Sequence, residues 1–479
     1  MRKERISENI WEIPVSEKEG MAVPVRIYAG EELLDEMDEG VFEQITNVAC
    51  LPGIERHALC MPDGHWGYGF PIGGVAAFST DEGIISPGGI GFDINCGVRL
   101  IKTNLVLKDV RSKIDNLMDI LFRTVPAGVG SKGVIRLSNG AFEEIMVKGA
   151  GWCIKNGYGW NEDLKRIEES GAIAGADPSA ISKEAIKRGI NQLGTLGSGN
   201  HYLEIQAVTD ICNEDIARVF GIYEKDQIMI MVHCGSRGFG HQVGTDYLRS
   251  FDKAMKRYGI NVKDRQLACA PFRSPEGNSY YKAMLSAANM AFANRQVITH
   301  RIREGFSRVF RESPEGLGMD IVYDVAHNIA KIERYNIDGK IKEVIVHRKG
   351  ATRSFGPGRS EITDIYRDTG QPVIVGGSME TVSYLLVGTD KAVSDTFGST
   401  MHGCGRLMSR KQAKKAVRGS ELKEKMYKKG IIVKAASLSG LAEEAGIAYK
   451  DINQVVDTMD RIGISKKVAE MHPIGNIKG

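Results

Sequence analysis

Apolar residues along this chain fall into two kinds of run. One kind repeats at helical spacing. Ile114, Leu117, Met118 and Leu121 stand at i, i+3, i+4 and i+7, which puts them on one face of a helix. Asp109 is the expected cap of that helix and Pro126 its expected stop. A second helix is expected over about residues 289–304, and a third, strongly basic one from about Met408. The other kind of run is short and continuous, as a buried strand reads. Residues 228–232 lead into His233-Cys234-Gly235-Ser236-Arg237-Gly238, and residues 321–325 into Ala326-His327-Asn328. Residues 343–346 lead into His347-Arg348-Lys349-Gly350, and residues 372–375 into Gly376-Gly377-Ser378. A buried strand followed by a polar or glycine turn is a rigid mount for chemistry on the loop.

Composition narrows the field. The chain has 479 residues, enough for a large core and, by length alone, for about three domains. Hydrophobic residues at 42% and charged residues at 26% describe an ordinary globular protein and exclude disorder over the whole chain. Glycine is in excess, 56 residues where ~7% is usual, without the period of collagen. The formal charge of +3 argues against a uniformly basic coat for nucleic acid but leaves room for a local patch. The N-terminus does not read as a signal peptide, and no apolar run approaches the ~18 residues of a membrane span. Eight scattered cysteines in a long chain do not form a disulfide framework, so a reducing cytoplasm is the expected home.

The ten histidines and several carboxylates then suggest a site. Asp93 and Cys96 stand three residues apart in Gly91-Phe92-Asp93-Ile94-Asn95-Cys96-Gly97, and His201 precedes Tyr202-Leu203-Glu204. With His233 and His327 they would make a mixed oxygen, sulfur and nitrogen donor set suited to borderline divalent ions such as Mn, Zn, Co or Fe. A thiolate can bridge two ions. None of the spacings is a compact metal motif, and the residues taken singly fit an ordinary core as well. Three glycine-rich segments offer free backbone N–H groups to anionic oxygens: residues 194–200, 376–379 and 403–406. None is a Walker A loop or a dinucleotide fingerprint. The stretch 409–429 carries Arg410, Lys411, Lys414, Lys415, Arg418, Lys423, Lys425, Lys428 and Lys429, which fits either a solvated helix face or a groove for a polyanion such as RNA.

Longer motifs are more specific. Residues 61–74, MPDGHWGYGFPIGG, and 85–99, ISPGGIGFDINCGVR, closely resemble the RtcB family of RNA-splicing ligases. The likeness continues through QLGTLGSGNH at 192–201, GSRG at 235–238, DVAHN at 324–328, HRKGATR at 347–353, His402-Gly403 and the closing Ile477-Lys478-Gly479. The resemblance implies one compact α+β domain over residues 1–479 with a deep metal- and nucleotide-binding cleft, in place of three domains. It implies ligation of an RNA 3′-phosphate or 2′,3′-cyclic phosphate to a 5′-hydroxyl end, with GTP and two Mn²⁺ ions as cofactors. The RNA would be tRNA halves or other cleaved RNA, and a small protein, archease, assists some members. A monomer is the default expectation.

Residue by residue, the resemblance makes Asp93, Cys96, His201, His233 and His327 the metal ligands, with Cys96 bridging. His402 is the histidine that takes up GMP, and Asp63 and Lys478 join it as catalytic residues. Guanine-nucleotide contacts are expected from Asn200, His201, Tyr202, Leu203, Glu204, His327, Asn328, Gly376, Gly377, Ser378, Met379 and Ser383. Gly403, Cys404, Gly405, Tyr449 and Lys478 complete that set, with Glu204 reading the guanine edge. Arg188 and Arg237 are expected to meet RNA. The chain departs from the family at Gly376 and Glu380, where proline and glycine are usual, and at Gly64, Cys234 and Cys404. Those departures bear on nucleotide affinity more than on reaction type. The same donor set would also serve a dinuclear metallophosphoesterase that hydrolyses RNA phosphate ends, and the basic stretch an RNA chaperone.

Overall fold

A computed structural model describes residues 1–479. Two antiparallel-rich sheets dominate it. One has seven strands in the order Glu4–Ser7, Ile10–Ile13, Val25–Tyr28, Ile54–His65, Ile72–Ser79, Lys340–Lys349 and Asn328–Ile337. The other runs Ile321–Ala326, Gly97–Val106, Gln227–Cys234, Tyr202–Ile211, Ser465–Lys478, Ser383–Gly388 and Pro372–Val375, with Ile432–Ala435 added beside Ser465–Lys478. Helices and sheets are mixed along one α+β domain. Its core is an apolar cluster of 98 buried residues joined by a second of 24.

The second sheet explains how distant segments meet. Gly97–Val106 is antiparallel to both Ile321–Ala326 and Gln227–Cys234, and Gln227–Cys234 is antiparallel to Tyr202–Ile211. Two strands therefore start where their neighbours end. Gly97 lies opposite both Cys234 and Ala326, and His233 lies opposite both Val98 and Tyr202. Cys96, His201, His233 and His327 all fall at that one end of the sheet. Lys478, opposite Tyr202, brings the C-terminus to the same end.

The helices differ from their sequence pattern in instructive ways. The face of Leu117, Met118 and Leu121 is buried as expected, on helix Ile114–Thr124. Its cap is not Asp109: that carboxylate receives the Val106 N–H at 3.0 Å and closes a separate short helix, Leu107–Val110. The helix expected over 289–304 extends over Pro275–Phe310, capped by Ser274, whose hydroxyl accepts the Gly277 N–H at 3.0 Å. Residues 283–299 are buried all round, so no polar face marks its length in the sequence. The basic stretch forms two helices, Arg410–Ala416 and Gly419–Lys428. They close over a small third cluster that includes Met379, Leu422, Met426 and Leu441. Three of the expected strands are recovered and extended, so that His233 and His347 lie on strands; Pro372–Val375 matches its expected bounds.

Candidate metal and nucleotide site

Five side chains converge at the sheet end. Cys96 Sγ lies 3.3 Å from His201 Nε2 and 3.2 Å from His233 Nε2. His201 Nε2 lies 2.8 Å from Asp93 Oδ2, and the Nε2 atoms of His233 and His327 are 3.2 Å apart. The donors form two groups that share Cys96: Asp93, Cys96 and His201, and Cys96, His233 and His327, each with its ligand atoms within 4.8 Å. The outer ring nitrogens are tied down. His201 Nδ1 donates to Leu196 O at 2.9 Å and His233 Nδ1 to Asn200 O at 3.1 Å, which turns both Nε2 atoms inward.

The electrostatics fit a cation. Burial, seconded by neighbouring imidazoles, holds His233 and His327 well below the usual histidine range, so both are neutral, as metal-binding imidazoles must be. Burial would discharge His201 as well, but Cys96 and Asp93 outweigh it and raise its affinity for a proton. Burial would raise Asp93, but His201 and Arg237 hold it below the ordinary carboxylate value. Burial, with Asp93 beside it, pushes the Cys96 thiol up to about 12, so a thiolate here requires a positive partner. Divalent ions would replace the proton that Asp93 and His201 share and ionise the thiol. The residues present therefore suit a metal pair.

His402 stands beside this cluster, its ring centroid 4.6 Å from that of His327. It follows the short strand Ser399–Met401, while Asp63 comes from Ile54–His65 in the other sheet. His402 Nδ1 donates to Asp63 Oδ2 at 2.6 Å, and the backbone N–H groups of His402 and Gly403 reach the same oxygen at 3.1 and 3.3 Å. Nε2 is thereby left with its lone pair. Asp63 is fully buried, and the end of its strand is held by Lys450, whose Nζ donates to Pro62 O at 3.1 Å and Gly64 O at 2.9 Å. The Lys450 backbone N–H donates to Gly405 O at 3.1 Å, so one residue ties both segments together.

A cavity of about 230 Å³ opens over His402. Its wall includes Asn200, Tyr202, His233, His327, Asn328, Gly376, Gly377, Ser378 and Met379. Gly403, Cys404, Gly405, Tyr449 and Lys478 complete the expected part of the lining. Gly376 has a steric reason: a Cβ there would lie 2.1 Å from the Tyr202 hydroxyl, so a side chain in place of glycine would strike that ring. Lys478 is buried, 3.7 Å from Glu444 and with its Nζ 5.3 Å from the Tyr202 ring centroid. Sequence reasoning missed His65, Gly350, Arg406, Arg410 and Glu444, which also line the cavity. His65, Gly350, Arg406 and Arg410 lie in motifs, a glycine segment or the basic stretch already singled out in the sequence and could have been named; only Glu444 sits in a segment without a distinctive pattern.

Some expected contacts stand elsewhere. Along Tyr202–Ile211, side chains alternate, so Leu203 turns into the second apolar cluster and only its backbone faces the other way. Glu204 is buried off the cavity wall, its carboxylate accepting from Asn476 Nδ2 and, at 2.7 Å, from Gln206 Nε2. Burial raises it to about 7 despite Lys478. Gln206 also reaches Ser383 Oγ at 3.1 Å, and that hydroxyl accepts the Gly377 N–H at 3.1 Å, so Glu204 and Ser383 buttress the glycine loop from behind. Glu380 does not add charge to the loop's cavity side: it accepts the Gly446 N–H at 2.8 Å and pairs with Lys425 at 2.9 Å. Arg237 packs against Gly197 and lies 3.3 Å from His201 Nδ1, whereas Arg188 is exposed and bonded to Gln242 at 2.8 Å. Of the basic stretch, Arg410, Lys414, Arg418, Lys425, Lys428 and Lys429 are engaged with carboxylates, leaving Lys411, Lys415 and Lys423 without such a partner.

The donor groups could hold two metal ions next to one oriented imidazole in a pocket of glycine loops. Comparison with known proteins identifies the family. The family model "tRNA-splicing ligase RtcB" matches residues 44–479. A tRNA-splicing ligase RtcB from Methanococcus maripaludis is 54% identical over 475 residues, 99% of each chain. Those of Archaeoglobus fulgidus and Thermococcus kodakarensis are 54% and 52% identical over 99% of this chain and 98% of theirs. The chain belongs to the RtcB family.

Proposed function

We propose that this protein joins RNA 3′-phosphate or 2′,3′-cyclic phosphate ends to 5′-hydroxyl ends, using GTP and manganese, through a covalent His402–GMP intermediate. The observation that carries the reading is the Asp63–His402 pair: a buried carboxylate fixes the proton on Nδ1, and Nε2 is a free nucleophile on a cavity wall. His402 Nε2 attacks the α-phosphorus of GTP; a P–N bond forms, the α–β bridging P–O bond breaks, and pyrophosphate leaves. An oxygen of the RNA 3′-phosphate then attacks the same phosphorus and frees His402, leaving a 3′-pyrophosphate-linked guanosine end. The RNA 5′-hydroxyl attacks the RNA-side phosphorus, loses its proton and expels GMP. A cyclic phosphate is first opened by water.

Asp93, Cys96 and His201 would hold one cation, and Cys96, His233 and His327 the other. Such ions neutralise phosphate charge and ease deprotonation of attacking oxygens. Lys478 and the N–H groups of the 376–379 and 403–405 segments stabilise charge on phosphate oxygens. Arg237, which lies beside the cluster, and the exposed Arg188 would meet RNA phosphates. The reading carries with it an RNA substrate such as tRNA halves, archease as helper, and a cytoplasmic monomer of one domain over 1–479 as the working form. No helix is long and apolar enough to cross a membrane.

A metallophosphoesterase would need neither the Asp63–His402 pair nor the glycine loops. An RNA chaperone would draw on a basic stretch whose charges are mostly engaged in ion pairs. A ligation assay with a 2′,3′-cyclic-phosphate RNA and a 5′-hydroxyl RNA, with and without GTP, tests the proposal. GTP-dependent joining is expected; GTP-independent loss of the phosphate end would favour the esterase.

A further inference from the structure

Outside the cavity, the metal cluster has a second approach. The Asp93 side chain is 28% exposed, although the other ligands are buried. Its neighbour Phe92 stacks on His241, with ring centroids 4.8 Å apart and planes at 24°. Tyr68 packs on Phe92, at 5.1 Å and 56°. Tyr68 and Phe92 are half-buried, but His241 is exposed. It ends the row of three rings, stacked on Phe92 and exposed to solvent.

The helix beneath is shaped for this row. Arg237 and His241 stand at i and i+4 on Arg237–Tyr258, on one helix face. Gly244, on the same helix, faces Phe92, where a Cβ would make ordinary contact with the ring at 3.4 Å. The charged groups nearest the ring are the Arg188 guanidinium, held by Gln242 next to His241, and the Asp93 carboxylate on the metal side. An exposed flat ring beside a guanidinium matches a nucleotide, with its base on the ring and a phosphate on the arginine.

We propose that the outer face of His241, backed by Phe92 and Tyr68, is a stacking site for a base of single-stranded RNA entering the metal centre past Asp93. This inference rests on the ligase reading for its RNA, and it adds that RNA enters from the Asp93 side while the nucleotide occupies the cavity over His402. Bases near the end to be joined are held by stacking, without sequence readout, so many RNA ends fit.

The test uses the full chain loaded with manganese and a 5′-hydroxyl single-stranded RNA labelled at its 3′ end. Binding is read by fluorescence anisotropy, with a second RNA abasic at its first three positions. Self-labelling with GTP, without RNA, is measured in parallel. His241→Ala should weaken binding of the base-bearing RNA about tenfold, leave the abasic RNA unchanged, and label with GTP at the wild-type rate. His241→Tyr should restore affinity. Equal affinity of wild type and His241→Ala for the base-bearing RNA overturns the site, and so does an equal loss for both RNAs. If binding depends on His241 and on bases but the wild type takes no label from GTP, the stacking site stands and the ligase reading falls.

Discussion

The Asp63 carboxylate and the His402 ring meet at 2.6 Å through Nδ1, and the same carboxylate oxygen caps two successive backbone N–H groups of the His402 loop. Ring tautomer and loop position thus depend on one atom. Asp63→Asn keeps the shape but can present an N–H to Nδ1, which moves the ring proton to Nε2 and removes the nucleophile. Labelling by GTP should fall by about 10³-fold or more, with metal content unchanged. Labelling at the native rate would show that the pair does not set the tautomer.

Lys450 is buried, yet its ammonium meets only the carbonyls on either side of Asp63 and no carboxylate in ion-pair range. A buried charge held this way is costly and points to a positioning role. Lys450→Met should slow GTP labelling about 10- to 100-fold without changing manganese content or the affinity for RNA. A variant that labels normally would make Lys450 a matter of packing.

The sharing of Cys96 between the two donor groups predicts metal stoichiometry. Cys96→Ala should lose both ions, whereas Asp93→Ala and His327→Ala should each lose one. Elemental analysis after gel filtration reads the count directly. Two ions retained by Cys96→Ala would remove the bridge.

Glu204 gives a pH signature. Burial raises its carboxyl from the ordinary 4.5 to about 7 in the folded chain. Between those values the folded state binds more protons than the unfolded one, so stability falls as pH rises from 4.5 to 7 and is level above. The penalty at pH 7 is on the order of 3 kcal/mol. Glu204→Gln should lack it. Chemical denaturation at several pH values should show the variant gaining on wild type across that window; a constant difference would place the folded value of Glu204 at its ordinary one.

How far the sequence foretold this site depends on the residue. His233 and His327 stood out in the sequence because each follows an apolar run, whereas Cys96 and His201 stood out by their glycine-rich settings and the family motifs; what spacing could not give was the antiparallel register that lays Gly97 against Cys234 and Ala326. That register is a property of non-local pairing, and only the longer family motifs pointed to it. Glu204 was expected at the guanine edge but lies behind the glycine loop, because strand alternation and the amides of Gln206 and Asn476 hold it there. Glu380 reads in sequence as a charge beside a phosphate loop, while its partners, Lys425 and Gly446, lie 45 and 66 residues away. The basic stretch hid its ion pairs for the same reason: Glu443 and Glu380, which neutralise much of it, lie outside it in the chain. Ser274 and Asp109 show that caps were readable only where the helix start was.

The most direct measurement is peptide mapping by mass spectrometry after incubation with GTP and manganese. The account predicts that one GMP is gained, released by mild acid as a P–N bond requires, on the peptide containing His402, and on none in His402→Ala. Label on another residue, or label that persists in that variant, would contradict it.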